Sequence, residues 1–142
     1  MDNNINILDE LNKGCCMGID ALDIIIPKVK EATFKELLEN QLKDYEEIST
    51  KINSTYQEYT EKEIHKTSTM EKAMTWYGIQ KDTILDESIS NLADLLIKGT
   101  NMGIIEGQKI KNNKTMDKKV HKICSDYIKL QEKYVDRLSE FL

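Results

Sequence analysis

The sequence predicts an all-α protein, a four-helix bundle made of two similar halves, and three observations carry that prediction. The first is an internal repeat: residues 6–19, NILDELNKGCCMGI, match residues 91–104, NLADLLIKGTNMGI, at eight of fourteen positions with a constant offset of 85. Unrelated segments of ordinary composition would share about one residue over that length, so the repeat decides the architecture before propensity does. The second is composition. One proline, Pro27, and six glycines among 142 residues leave few tight turns, and Leu, Ile, Lys and Glu dominate the remainder, which favours helix. The third is periodicity: apolar residues recur every three or four positions through four long segments, the spacing that gathers side chains on one helical face.

The first helix is expected over about residues 4–30, where Ile7, Leu11, Gly14, Gly18, Leu22 and Ile25 share a face. Pro27 falls in its last turns, where it denies a hydrogen bond to the Asp23 carbonyl and bends the helix. Phe34, Leu38, Tyr45, Ile48, Ile52, Tyr56 and Tyr59 continue the period through a second, more polar helix ending near His65. Its far half is long enough to project beyond the bundle. The pattern breaks over HKTSTMEK, where Ser68 and Glu71 have the spacing of a capping box and open a short crossover helix at about 69–81. That helix carries the only tryptophan, Trp76, beside Tyr77 and Gly78, and packing on the bundle end is its expected use. Asp86 announces the third helix, with Leu92, Leu96, Gly99, Gly103, Glu106 and Ile110 on one face, and the run NNKTMD ends it. The fourth helix carries Val120, Ile123, Tyr127, Leu130, Tyr134, Leu138 and Phe141 to the carboxyl terminus.

The repeat maps the first helix onto the third, and the second then corresponds to the fourth. The chain reads as a single helical domain, 1–142, of two hairpins at about 4–65 and about 86–142, related by an approximate two-fold axis and joined by a crossover of about 66–85. A connection of that length is too long for a simple up-down bundle and suits a bundle with one long crossover. Gly14 with Gly18, and Gly99 with Gly103, put small residues one turn apart, which lets the first and third helices approach closely. Met17 and Met102, beside the glycine pairs, are expected to fill core.

Charge and composition narrow the function. Twenty basic and 25 acidic residues give a net charge of −5, spread along the chain, which leaves no basic footprint for nucleic acid. No apolar run reaches the ~20 residues that span a bilayer, and the amino terminus lacks a signal pattern; a cytoplasmic location is expected. Nineteen of the twenty basic residues are lysine, a bias of AT-rich bacterial genomes. Cys15, Cys16 and Cys124 make an odd count without an export signal, so reduced thiols are expected rather than disulfides.

At this point the motif KGxxMGI in the first helix, its echo KGTNMGIIEGQKI in the third and the closing KLQEKYVDRLSEFL resemble small bacterial ferritin-like proteins, relatives of the rubrerythrin and ferritin superfamily, a group largely without assigned function. The resemblance covers most of the chain and rests on packing residues, so it implies fold far more strongly than activity. Iron-binding members place one Glu on each of two helices and a Glu-x-x-His pair on each of the other two. Here Glu106 falls on the expected seam of the third helix, but its repeat mate is Ala21, flanked by the shorter Asp20 and Asp23. The second helix offers Asp44, Glu46 and Glu47 with no histidine before His65, and the fourth has His121, Cys124 and Glu132 with no Glu-x-x-His. The family's di-iron recipe is therefore absent.

Two function classes follow. In the first, the chain is a non-catalytic ferritin-like bundle, a structural or interaction protein with a degenerate metal site and no cofactor. In the second, Glu106 with Asp20, Asp23, Asp44 and Glu47 forms a non-standard carboxylate site for iron or manganese, of oxidase or storage type. Glu106 as a satisfied structural carboxylate is favoured over Glu106 as a ligand. His121 and Cys124 supply two ligands where zinc usually takes four, and the vicinal cysteines diverge by ~100° on a helix. No phosphate loop, Ser/His/Asp set or Cys-x-x-Cys supports enzyme chemistry. Tyr45, Tyr56 and Tyr59 form a stripe that buries against neighbours, or makes a homodimer contact if the second helix outruns the bundle.

Overall fold

A computed structural model describes residues 3–64, 77 and 86–142. The described chain is all helical: α1 (Asn3–Ile25), a 3-10 turn (Ile26–Lys28), α2 (Ala32–Gln57), α3 (Ile89–Asn113) and α4 (Lys118–Ser139), with no strand among the described residues. The short helix expected at about 69–81, with Trp76 and the Ser68/Glu71 capping box, lies outside them except for Tyr77, which is buried.

The helix ends have local causes. α1 stops at Ile25, short of residue 30, and Pro27 sits inside the 3-10 turn instead of bending a continuing helix. Its ring nitrogen has no proton for the Asp23 carbonyl, so the α ladder ends there. α2 opens on Glu31, whose carboxylate accepts from the Thr33 amide (2.9 Å) and the Phe34 amide (2.8 Å). These bonds hold the Glu31 carboxyl below the usual range, as expected of an anion on the orphan donors of a helix N-terminus. α3 is capped by Ser88, which accepts from the Asn91 amide, while Asp86 in turn accepts from the Ser88 amide (2.9 Å).

α1 packs chiefly on α2 and α3 chiefly on α4, with lesser contacts between α2 and α4 and between α1 and α3. Their apolar faces merge in one cluster containing Ile7, Leu11, Phe34, Leu38, Leu92, Leu96, Val120 and Leu138. Burying each such side chain contributes about 1.5–3 kcal/mol before chain entropy is set against it. Buried positions recur 85 apart on α1 and α3 (Leu11 and Leu96, Cys15 and Thr100, Ile25 and Ile110) and 86 apart on α2 and α4 (Phe34 and Val120, Tyr45 and Gln131, Ile52 and Leu138). No helix among the described residues is long and apolar enough to cross a membrane.

Three expectations about the outer faces need correction. α2 ends at Gln57 instead of His65, and its far half does not project: Tyr56 is 2% exposed, and Tyr59 donates to Asp117 (2.7 Å) under the Lys119 ammonium. The tyrosine stripe is thus spent inside the chain. Glu106 does not face the core; its side chain is 55% exposed and pairs with Lys109 at 3.7 Å. Met102, one turn before it, is 42% exposed, although its repeat mate Met17 is buried. Glu106 lies one helical step of about 100° off the seam of α3, which runs through Gly99, Gly103 and Gly107, all buried.

Candidate functional site

The glycines of α1 and α3 work differently from the close helix approach that their spacing suggests. A Cβ at Gly18 would lie 2.8 Å from the Tyr45 ring, one at Gly99 2.1 Å from the Tyr77 ring, one at Gly14 2.0 Å from the Tyr127 hydroxyl and one at Gly103 2.0 Å from the Gln131 amide oxygen. Each is a socket for a long side chain arriving from another element. Absence of a Cβ in mid-helix costs about 1 kcal/mol relative to alanine, and here the vacated volume is filled by polar-tipped side chains.

Those side chains converge on the waist of the bundle. Tyr45, Tyr127 and Gln131 are at most 2% exposed, beside Gln41, Thr100, Cys15 and Tyr77. The Tyr45 hydroxyl donates to Gln131 Oε1 over a long 3.4 Å. The Gln41 amide and the Thr100 hydroxyl are buried at this level with no hydrogen bond of good geometry, the Tyr45 phenol standing beside both and the Tyr77 phenol beside Thr100. Burial pushes the Tyr45 phenol up to about 12, helped by the Cys15 thiol and opposed by the dipoles of Tyr77, Gln41 and Thr100. Burial likewise raises Tyr77 and Tyr127 well above the usual phenol range. The Cys15 thiol is raised by burial and then by its neighbour Cys16, so it stays protonated and unreactive. The waist is a neutral, proton-retaining interior.

The carboxylates singled out in the sequence stand outside it. Asp23 is exposed and Asp20 half-buried on α1; the Asp23 carboxyl is raised by partial burial and by the charges of Asp20 and Glu46. On α2, Asp44 accepts from the Tyr134 hydroxyl and from Lys133 Nζ (3.0 Å). Burial alone would raise Asp44, but those bonds and the charges of Lys133 and Lys43 outweigh it and hold the carboxyl below its usual range. Glu47 is exposed and shares a surface cleft with Asp44, Asp126, Lys51 and Lys133, where two ammonium groups stand among three acids. Among the described residues, no three His, Cys, Asp or Glu side chains gather as a metal ion would need. His121 is exposed, and Cys124 turns inward to lie 3.5 Å from the Gly107 carbonyl; the two share no ligand geometry.

The described pockets include one of about 100 Å³ between α1 and α3, lined by Leu11, Gly14, Met17, Gly107, Ile110 and Tyr127 with Glu10, Lys13 and Glu106. Glu106, expected on the seam, stands at the edge of this pocket, and the buried seam position belongs to Gly107. The signal was present: Gly99, Gly103 and Gly107 continue one four-residue step.

Fold and waist together define an all-α four-helix bundle with a Tyr/Gln interior. No family model, curated protein or solved structure matches the chain.

Proposed function

We propose that this chain is a non-catalytic ferritin-like bundle, a structural or interaction protein in which the level where such bundles hold metal is given over to packing. One observation carries the reading. The buried polar side chains among the described residues are Asn4, Asn12, Gln41, Thr55, Thr100 and Gln131, amides and hydroxyls throughout. A divalent ion in a bundle core takes carboxylate or imidazole ligands, and this donor set offers neither, so the residues present do not fit the di-iron group of the family it resembles. Neutral amides and phenols instead specify how the helices seat against one another, since each must find its place or remain orphaned.

The test is metal content by mass spectrometry on untagged protein loaded anaerobically with ferrous iron and desalted. Under about a tenth of an ion per chain is expected. About one or two ions per chain, as a di-iron bundle would retain, and their loss in Glu106→Ala, would overturn the reading in favour of an iron or manganese site of Glu106, Asp20, Asp23, Asp44 and Glu47. With Glu106 exposed, Glu106→Ala should leave thermal stability within about 0.5 kcal/mol of the parent.

A further inference from the structure

We propose that the end of the bundle formed by the α3–α4 turn is a docking surface for an anionic lipid bilayer, held by charge alone. Acids and bases are mixed along most of the chain, but not here. Residues 109–122, KIKNNKTMDKKVHK, hold six lysines and one acid, Asp117, a local charge of +5 in a chain of −5. The fold gathers them at one tip: Lys109 and Lys111 end α3, Lys114 caps it, and Lys118, Lys119 and Lys122 open α4. All but Lys111 are exposed. Glu106, Glu58 and Asp126 pair with Lys109, Lys119 and Lys122, and the neighbouring end of α2 adds Glu61 and Glu63, which offsets part of the charge. Lys114 and Lys118 stand in no ion pair among the described residues. Lys118 and Lys122, four residues apart, share the side of α4 turned away from buried Val120 and Tyr127, and Lys129 continues it.

The chemistry of this end favours a lipid surface over other anions. None of the described pockets is lined by these lysines, so a small anion finds no cradle, whereas a broad anionic plane needs none. Proteins read nucleic acid with arginine forks and stacked aromatic rings, and residues 109–122 hold no arginine and no ring but that of His121. The nearby Tyr59 ring lies under Lys119 with its hydroxyl on Asp117. Clustered lysines are drawn as point charges to anionic headgroups. The exposed large hydrophobics among the described residues are Met102, Ile105 and Leu142, none of them in the turn, so the tip rests on headgroups without inserting.

The rest of the molecule orients it. The opposite end, where Phe34 meets Phe141, carries Glu31, Glu36, Glu39, Asp86, Glu87 and Glu140 against Lys28, Lys30, Lys35 and Arg137. The 25 residues of α3 set the two ends about 37 Å apart, more than four Debye lengths of about 8 Å at physiological salt. The tip therefore meets an anionic plane without repulsion from the acidic end, and the bundle stands end-on. This surface is separate from the waist and stands whether or not the chain holds metal.

The test is co-sedimentation of the full chain with vesicles of phosphatidylcholine alone and of phosphatidylcholine with about a third phosphatidylserine. Binding is expected only to the second, weakening at least about tenfold between about 0.1 M and about 1 M salt. Each lysine near such a surface contributes about fivefold, so Lys114→Gln/Lys118→Gln/Lys122→Gln, which touches exposed positions only, should weaken binding about tenfold or more. Lys28→Gln/Lys30→Gln/Lys35→Gln removes the same charge from the other end and should stay within about twofold of the parent. No binding to the serine-lipid vesicles, equal binding to both lipids, equal losses in the two triple variants, or tighter binding to a duplex of about 20 base pairs at the same salt would each overturn the proposal.

Discussion

Gly14 and Gly99 occupy the same place in two segments identical at eight of fourteen positions, each after a lysine and three residues before a methionine, yet they do different work. Gly99 takes the side of an aromatic ring near its root, with Cγ, Cδ1 and Cε1 of Tyr77 all within 2.5 Å of where a Cβ would stand. Gly14 takes only the tip of Tyr127, whose ring carbon Cζ is already 3.0 Å away. The segments themselves do not determine this. It is set by what the rest of the chain delivers: Tyr77 comes from the connection between the halves, which exists once, whereas α2 and α4 exist in matched form. Two segments with matching sequence therefore share a burial pattern and lose their equivalence where a third element arrives.

The sharpest way to break that comparison is to fill both sockets. Gly99→Ala should cost about 2 kcal/mol, the ~3 of overpacking against a ring that can move only as a whole less the ~1 gained in helix propensity. Gly14→Ala should stay within about 1 kcal/mol of the parent, because a small rotation of the Tyr127 side chain about its Cα–Cβ bond displaces the tip of the ring further than its root; equal losses in urea denaturation would show that the sockets are alike. Next in size is Asn12, whose repeat mate is Ile97. Its amide oxygen accepts from Ser49 (3.3 Å) and Asn53 (3.2 Å) in the α1–α2 interface, so Asn12→Ala should cost about 1.5 kcal/mol by stranding partly buried donors. Calorimetry of Asn12→Ala beside Ile97→Ala would tell whether the first hairpin leans on polar bonds where the second uses apolar contact.

The smallest effect is expected at Tyr134, which stands 86 residues after Ile48. Tyr134→Phe should lose about 1 kcal/mol at neutral pH with its bond to Asp44. The folded Asp44 carboxyl is depressed, so its contribution is present above the unfolded value near ~4 and is lost as pH falls through the lower folded value. Parent and variant should therefore converge in acid, below about pH 4, and a gap that stayed constant down to pH 2 would sink the assignment.

Four helices and most of their buried faces could be read from the sequence, because apolar residues at steps of three and four report directly which side is covered. Helix ends were harder. Tyr56 and Tyr59 keep the period running past Gln57, although the chain is already turning there; Pro27 gave its position, but whether it bends or ends a helix depends on the 3-10 turn that follows. The waist was largely invisible. Gln41, Thr100 and Gln131 are polar residues at core spacing, and a search for apolar periodicity skips them, although Gln41 sits between Leu38 and Tyr45 in step with both. Glu106 stands off the seam for the complementary reason: its distance from Gly99 suits the seam, but two consecutive four-residue steps, from Gly99 to Gly103 to Gly107, carry the seam past it.

At the end of the bundle where α4 begins, the Asp117 amide donates to the Asn4 side chain at 2.8 Å, across 113 residues of chain. Such a bond forms only after both hairpins have docked, since neither contains both partners, and closing so long a loop gains nothing until the helices between are in place. The proton on that one nitrogen is consequently a gauge of cooperativity. If it exchanges with solvent no faster than the slowest core amides, the first and last helices separate only when the whole molecule opens; faster exchange would mark that seam as the place where opening starts.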